Sequence, residues 1–142
     1  MTSINPYLNF AGNTEEAFKF YQSVFGGELN LMRFSDTPEA GNMPPTVKDK
    51  VMHASLPIGN NNYLMATDAC EEMGFSLTQG NNYYVCISPD SREEADKLFN
   101  GLAEGGKVNM PLQDMFWGAY YGDLTDKFGI KWMVNYDKHR QN

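Results

Sequence analysis

Few residues in this sequence have side chains that could carry acid–base chemistry near neutral pH. Its two histidines are His53, within the segment Lys50-Val51-Met52-His53-Ala54, and His139, in a polar tail. His53 could act as a general base, with a carboxylate such as Asp68 holding its imidazole in one tautomer. Alternatively, His53 is a structural histidine that is hydrogen-bonded inside a sheet. The sequence leaves these two interpretations open.

The two cysteines are poor candidates for a nucleophile. Cys86 falls in the middle of a predicted strand, and we expect it to be a small buried hydrophobic residue. Cys70 stands beside Glu71 and Glu72, whose charges are expected to raise the pKa of its thiol. Two cysteines do not make a disulfide framework.

A concentration of aromatic residues marks the second half of the chain. It includes Trp117, Tyr120, Tyr121 and Trp132. Strand alternation sends Trp117, Tyr121 and Asp123 to one face, where the two rings could stack on a flat organic ligand. The alternative is that these rings fill the core beneath a helix.

Length and charge restrict the classes of function. The chain has 142 residues, of which 42% are hydrophobic and 20% charged, and a net charge of −7. This balance is typical of one globular domain, and the acidic charge argues against a nucleic-acid partner. The sequence has neither a membrane-length apolar run nor a signal-peptide pattern, so we expect a cytoplasmic protein that does not bind a membrane. Arg33, Lys50 and Lys131 are the obvious candidates for a locally basic site.

The elements that must position these residues come from an internal repeat. Glu-Glu-Ala occurs at 15–17 and again at 93–95, and each copy ends at a glycine pair, at 26–27 and 105–106. A helix cap precedes each triplet, Asn13 in the first copy and Ser91 in the second. Apolar residues follow at helical spacing. The repeat predicts two equivalent amphipathic helices.

Predicted strands flank both helices, so that the order is β-α-β-β-β twice. Gly59-Asn60-Asn61-Asn62 is a strong hairpin signal. The segment 36–50 is predicted to be a long surface loop or a mobile lid. The predicted strands are Ile4–Phe10, Leu29–Phe34, Val51–Ile58, Tyr63–Thr67, Tyr83–Ser88, Val108–Leu112, Phe116–Leu124 and Lys131–Tyr136.

The hairpin also predicts which residues share a face. A turn centred on residues 60–61 pairs Ile58 with Tyr63 and brings His53 opposite Asp68. One face then carries Met52, Ala54, Leu56, Ile58, Tyr63, Met65 and Thr67, predicted as core, and the other His53, Ser55, Pro57, Leu64, Ala66 and Asp68, predicted to line a cavity.

The duplicated unit resembles the vicinal oxygen chelate superfamily of glyoxalase, bleomycin-resistance and extradiol dioxygenase proteins. Several segments look like its PhnB-like branch, often labelled 3-demethylubiquinone methyltransferase-like. The resemblance implies an α+β fold in which two tandem β-α-β-β-β units form a cupped mixed sheet. Residues 1–142 would form one domain, with unit one at about 1–69, a linker at about 70–81 and unit two at about 82–137. The segments are Pro6–Phe10, Ala17–Tyr21, Phe25–Gly27, Lys50–Ala54, Met115–Gly118, Tyr121–Gly122 and Asp126–Trp132.

Metal-dependent members of the superfamily take their ligands from the first and last strands of each unit. Carried over roughly, these positions fall at Asn5 or Pro6, near Ala66, at Tyr83 or Tyr84, and at Met133. This set lacks the His and Glu donors of the metal-dependent relatives. We therefore expect no metal and no other cofactor.

Three functions remain open from the sequence. The first is binding of a small organic molecule in an aromatic cup, and the resemblance adds the expectation of a homodimer. The second is an enzyme of the lyase or dioxygenase type, either metal-dependent or based on His53 with Asp68. The third is an interaction domain with a relic pocket. The predicted ligand-binding residues are Tyr7, Asn9, Ser55, Tyr84, Trp117 and Tyr121.

Overall fold

The computed structural model describes residues 2–137, so the tail residue His139 lies outside the described residues. Two compact units divide between Thr78 and Gln79. Both have the predicted β-α-β-β-β order, and the fold is α+β. None of the helices in residues 2–137 is long and apolar enough to cross a membrane.

The first unit is a four-stranded mixed sheet in the order β1-β4-β3-β2, with β1 parallel to β4 and the other pairs antiparallel. Helix α1 packs on β3 and β4. The elements are β1 (Tyr7–Phe10), α1 (Thr14–Phe25), β2 (Asn30–Arg33), the short helix α2 (Pro45–Lys48), β3 (Val51–Ile58) and β4 (Asn62–Asp68).

The second unit repeats this topology, with strand order β5-β8-β7-β6 and β5 parallel to β8. Helix α3 packs on β6, β7 and β8. The elements are β5 (Val85–Ile87), α3 (Arg92–Ala103), β6 (Lys107–Asp114), β7 (Ala119–Thr125) and β8 (Lys131–Asp137). Strand β7 begins later than predicted because Met115–Gly118 form a turn, closed by the Gly118 amide donating to the Met115 carbonyl.

The two long helices begin differently although both sequences predict a cap. Ser91 accepts a hydrogen bond from the Glu94 amide at 3.1 Å and caps α3 as expected. Asn13 makes no such side-chain bond. The first amide of α1, that of Thr14, instead donates to Oδ1 of Asp68 at 3.0 Å. A carboxylate at the end of β4 therefore replaces the local cap.

The predicted register of the β3–β4 hairpin is wrong by one residue. Ile58 pairs with Asn62 and Pro57 with Tyr63, so the turn has three residues rather than two. Gly59 and Asn61 both take positive φ, a conformation that glycine and asparagine tolerate well. The one-residue slip exchanges the two faces of β4. Leu64, Ala66 and Asp68 lie on the buried helix side, and Tyr63, Met65 and Thr67 lie on the opposite side.

The long connection between β2 and β3 contains short helical turns and a small hydrophobic cluster of its own. Phe34 and Val47 are buried together with Cys70, and Met43 and Met52 pack against them. This cluster anchors the connection to its own unit, which favours the surface-loop interpretation over the mobile lid.

Candidate ligand-binding faces

In each unit the helix covers one face of the sheet, and we call the opposite face the helix-free face. In unit one the alternation is clear on the two central strands. Ala54 and Leu56 of β3 and Leu64 and Ala66 of β4 are fully buried on the helix side. The alternate residues of β3 and β4, together with the β1 residues that pair with them, therefore lie on the helix-free face. They are Tyr7, Asn9, His53, Ser55, Met65 and Thr67.

Tyr7 and His53 meet on this face although they are far apart in sequence. The Tyr7 hydroxyl lies 3.3 Å from Nδ1 of His53, and the ring centroids are 5.8 Å apart. The hydroxyl can donate to Nδ1 when the imidazole proton is on Nε2. A bulge opposite Met32 and Arg33 inserts an extra residue just before His53. The bulge explains why Val51 and Ala54, three positions apart, are both buried.

The predicted pairing of Asp68 with His53 is wrong. Asp68 is 5% exposed and lies on the helix side. Its Oδ1 accepts from Thr14 N at 3.0 Å and its Oδ2 from Val51 N at 2.8 Å. Both oxygens are used to fix the starts of α1 and β3, so this carboxylate cannot orient the imidazole. The error follows directly from the slipped hairpin register.

The helix-free face of unit two is built around a row of residues that crosses its sheet. Strand pairing places Met110 opposite Asp123, Asp123 opposite Met133, and Met133 opposite Cys86. Asn135 and Gln113 flank Tyr121 in the next row. The other face of β7 is held close to α3 at Gly122, where an added Cβ would lie 2.9 Å from the Phe99 ring. Gly122 therefore lets the helix approach directly behind Tyr121 and Asp123.

Tyr121 and Asp123 form a hydrogen-bonded couple on this face. The Tyr121 hydroxyl donates to Oδ2 of Asp123 at 2.9 Å, and Asp123 is 7% exposed. Burial, and then the bond to Asp123, raise the pKa of Tyr121 to about 12, with smaller contributions from Tyr84 and Cys86. The phenol is therefore neutral near pH 7 and acts as a hydrogen-bond donor.

Trp117 lies beside this couple, but in the β6–β7 turn rather than on the strand. Its ring meets the Tyr121 ring edge-on at a centroid distance of 6.5 Å and is 56% exposed. The adjacent Phe116 is 98% exposed. Tyr120 and Trp132 lie on the other face: Tyr120 donates to Asp96 of α3, and Trp132 is buried.

Asp123 is the site residue that sequence reasoning missed. Alternation had already placed it on the face of Trp117 and Tyr121. What alternation could not indicate is that its carboxylate would be buried and bonded to a phenol. Tyr84, directly before β5, lies close enough to Tyr121 to affect its pKa.

The structure contradicts the expectation for Cys86, whereas the pKa of the Cys70 thiol is raised as expected. Cys86 is exposed rather than buried, because it lies on the helix-free face of a short edge strand. Cys70 is buried, and burial is the main cause that raises the pKa of its thiol, with Glu72 adding to it and Lys50 opposing it.

The three cations considered for a basic site are all engaged elsewhere. Arg33 forms a 2.7 Å ion pair with Glu15, and this bond lowers the pKa of that carboxyl group. Lys50 pairs with Glu72 at 3.4 Å. Lys131 donates to Oγ1 of Thr125 at 3.0 Å. These contacts do not assemble a basic pocket for an anionic ligand.

The positions that hold a metal in some relatives of the fold do not fit one here. Ala66 is fully buried on the helix side, and Met133 offers a thioether. Asn5 accepts from the Tyr63 amide, and the Tyr83 hydroxyl accepts from the Lys131 amide. Hard or borderline divalent ions prefer carboxylate and imidazole ligands. Within residues 2–137, no three His, Cys, Asp or Glu side chains are grouped so that they could hold an ion.

Comparison with known proteins places this geometry in a family. The sequence matches the family described as 3-demethylubiquinone-9 3-methyltransferase over residues 2–135. The chain belongs to this family. Glyoxalase-related structures that the chain resembles at lower identity share its fold.

Its relatives cover nearly the whole chain. Protein YjdN of Escherichia coli is 30% identical, over 96% of this chain and 97% of YjdN. The crystal structure of PA1353 from Pseudomonas aeruginosa is 43% identical, with a TM-score of 0.83 over 96% of this chain and 98% of PA1353. A PhnB protein from Bacillus cereus is 27% identical, with a TM-score of 0.71 over 95% of this chain and 99% of the other.

Proposed function

We propose that this PhnB-like protein binds a small organic molecule on its helix-free faces and needs no metal ion to do so. The observation that carries the proposal is the chemistry of those faces. Each presents aromatic rings with hydrogen-bonding groups, Tyr7 with His53 in unit one and Tyr121 with Asp123 in unit two. Organic ligands are commonly held by apolar and aromatic walls with a few placed polar groups.

The rings are partly covered and therefore suited to contact a ligand. Tyr7 is 46% exposed and Trp117 is 56% exposed. An aromatic ring with one exposed side gains by stacking on a flat molecule, and Tyr7 also offers a hydroxyl at its tip. Asn9 and Ser55 add neutral polar groups to the face that carries Tyr7 and His53.

Methyl transfer, which the family description names, is not part of the function proposed for this chain. A nucleotide-like cofactor is often held at the N-terminus of the first helix through an anionic group. In this chain the Asp68 carboxylate accepts the Thr14 amide at that end of α1. A second negative group there would be repelled by Asp68.

Thermal unfolding in the presence of a chelator tests the proposal. Purified protein is screened against flat aromatic compounds of differing charge in EDTA, and hits are measured by calorimetry. We expect at least one compound to raise Tm, because a ligand that binds the native state alone stabilises it. Tyr7→Phe, His53→Ala and Trp117→Leu should weaken binding for compounds that use the respective face.

Phe116→Leu is the matched control for Trp117→Leu: the Phe116 ring is 98% exposed, and leucine keeps an apolar side chain where that ring meets Trp117 edge-on at 5.0 Å. Its binding should equal that of the unmodified chain. Stabilisation that appears only when a divalent metal is added, or no stabilisation by any compound, would overturn the proposal.

A further inference from the structure

We infer that the helix-free face of unit two is a subsite for an organic cation, with Asp123 as its anionic anchor and Trp117, Tyr121 and Tyr84 as its aromatic surroundings. This inference rests on the proposed binding function and names the class of ligand. It concerns side chains within unit two alone.

The Asp123 carboxylate has one oxygen that accepts a hydrogen bond and one that does not. Oδ2 accepts the Tyr121 hydroxyl, while Oδ1 has no hydrogen-bond partner among residues 2–137. A buried carboxylate normally has both oxygens satisfied, as both oxygens of Asp68 are. Within residues 2–137, Oγ1 of Thr14 is the one fully enclosed polar side-chain atom that has no hydrogen-bond partner. Since Oδ1 of Asp123 also lacks a partner there but is not such an atom, it is not fully enclosed and solvent can reach it. Asp123 therefore has one acceptor available for an incoming donor.

The nearest positive side chain on this face, that of Lys131, forms no ion pair with Asp123. Lys131 lies on the same face of the neighbouring strand, but its ammonium group donates to Thr125. Asp123 forms no ion pair within residues 2–137. A charged ligand could supply the missing partner, and burial strengthens the attraction by lowering the local dielectric constant.

The aromatic rings on this face suit a positively charged ligand. The Trp117 ring meets the Tyr121 ring edge to face at a centroid distance of 6.5 Å, and the Tyr121 hydroxyl in turn bonds to the carboxylate. Aromatic faces attract cations, and the effect is largest for tryptophan. The methionine pair Met110 and Met133, which lies on either side of Asp123 across the sheet, offers a soft apolar wall. An ammonium group on an aromatic or aliphatic body matches both the charge and the walls.

An NMR titration with three probes of similar shape tests the inference. Benzylamine is cationic at pH 7, benzyl alcohol is neutral and benzoate is anionic. We expect benzylamine to bind about tenfold more tightly than benzyl alcohol, the size of effect that a desolvated cation–aromatic contact and an ion pair can give. Benzoate should bind most weakly. Shifts should centre on Trp117 Nε1 and on the amides of residues 121–123.

Three variants test whether the charge of Asp123 causes the preference for benzylamine. Asp123→Asn keeps an acceptor for Tyr121 and removes the charge, so it should abolish the preference for benzylamine and leave benzyl alcohol binding unchanged. Asp90→Asn removes an equal charge from an exposed loop position and should keep the preference. Met133→Lys places a competing ammonium group opposite Asp123 and should also abolish the preference, which provides a test if Asp123→Asn does not fold.

The results distinguish a failure of the cation subsite from a failure of the proposed binding function. Equal binding of the three probes, or a preference that survives in Asp123→Asn, would overturn the cation subsite while the binding function stands. Binding of benzylamine elsewhere on the chain would do the same. If no probe and no compound of the thermal screen binds, both the subsite and the proposed function are wrong.

Discussion

The two units use their buried carboxylates in different ways. In unit one, Asp68 lies on the helix side and both its oxygens accept backbone amides. In unit two, Asp126 has a comparable structural task, accepting the Phe128 and Ile130 amides and the Trp132 indole. Unit two has a further acid, Asp123, on its helix-free face, and within residues 2–137 the Tyr121 hydroxyl is its only side-chain partner.

The helix-free face of unit one has no counterpart to this acid. Within the described residues its polar side chains are neutral or imidazole, with Tyr7 and His53 in contact at the centre. One topology therefore presents two chemically distinct surfaces. A carboxylate whose hydrogen bonds are all used supports the fold, whereas one with a spare acceptor is available to a ligand. Four measurements test this difference between the two units.

The largest loss of stability is expected when Asp68 is replaced. Asp68→Ala leaves the Thr14 and Val51 amides without acceptors in a buried setting, and we expect it to lower the free energy of unfolding by about 3 kcal/mol. Asp123→Ala removes one bond from a phenol and should cost about 1 kcal/mol. Urea denaturation of both variants measures the difference. Equal losses would show that the two acids are not functionally distinct.

The second measurement concerns the Tyr121 phenol. Its pKa of about 12 is raised first by burial and then by Asp123. Asp123→Asn should lower this pKa but leave it above 10, because burial remains. Since the folded pKa exceeds the unfolded one, the stability contributed by Tyr121 is complete below pH 10 and is lost as pH rises towards 12. An alkaline NMR titration of the Tyr121 side chain reports the shift, because the absorbances of the eight tyrosines overlap. An unchanged value in the variant would contradict the contribution of the Asp123 charge.

The third measurement compares the two helix caps. Ser91→Ala removes the bond to the Glu94 amide and should destabilise the protein by about 1 kcal/mol. Asn13→Ala should cost less than about 0.5 kcal/mol, because the Asn13 side chain makes no cap bond and Asp68 accepts the first amide of α1 instead. Urea denaturation again measures both. A larger loss in Asn13→Ala than in Ser91→Ala would reverse the assignment of the caps.

The smallest effect on stability is expected at Tyr7. Its hydroxyl makes a 3.3 Å contact with His53 in a partly exposed setting, so Tyr7→Phe should change the free energy of unfolding by less than about 0.5 kcal/mol. Binding of a ligand that uses the face of unit one should nevertheless weaken. A variant that unfolds readily would indicate that the Tyr7–His53 contact supports the fold rather than a ligand.

Much of the fold could be predicted because its signals are local. The repeated Glu-Glu-Ala segments and their flanking caps and glycines predict both helices, and alternation predicts the strands. Alternation also placed Tyr121 and Asp123 on one face. His53 and Ser55 were expected on one face of β3, and the structure has them there.

The remaining features depend on tertiary pairing. Residues 59–61 can form a two- or a three-residue turn, and burial of Leu64 and Ala66 under α1 fits the longer one. This one-residue difference in turn length decides whether Asp68 faces His53 or the helix. The contact of Tyr7 with His53 depends on β1 running parallel to β4, which no local pattern specifies.

Metal content, followed together with thermal stability, tests the central claim most directly. The protein is dialysed against EDTA and then against buffer, analysed for metals, and unfolded thermally with Zn²⁺, Ni²⁺, Mn²⁺ or Fe²⁺ added in turn. Metal-independent binding predicts far less than one ion per chain, an unchanged Tm with each ion, and ligand stabilisation that persists in EDTA. Near-stoichiometric metal that raises Tm, with the rise lost in His53→Ala, would contradict it.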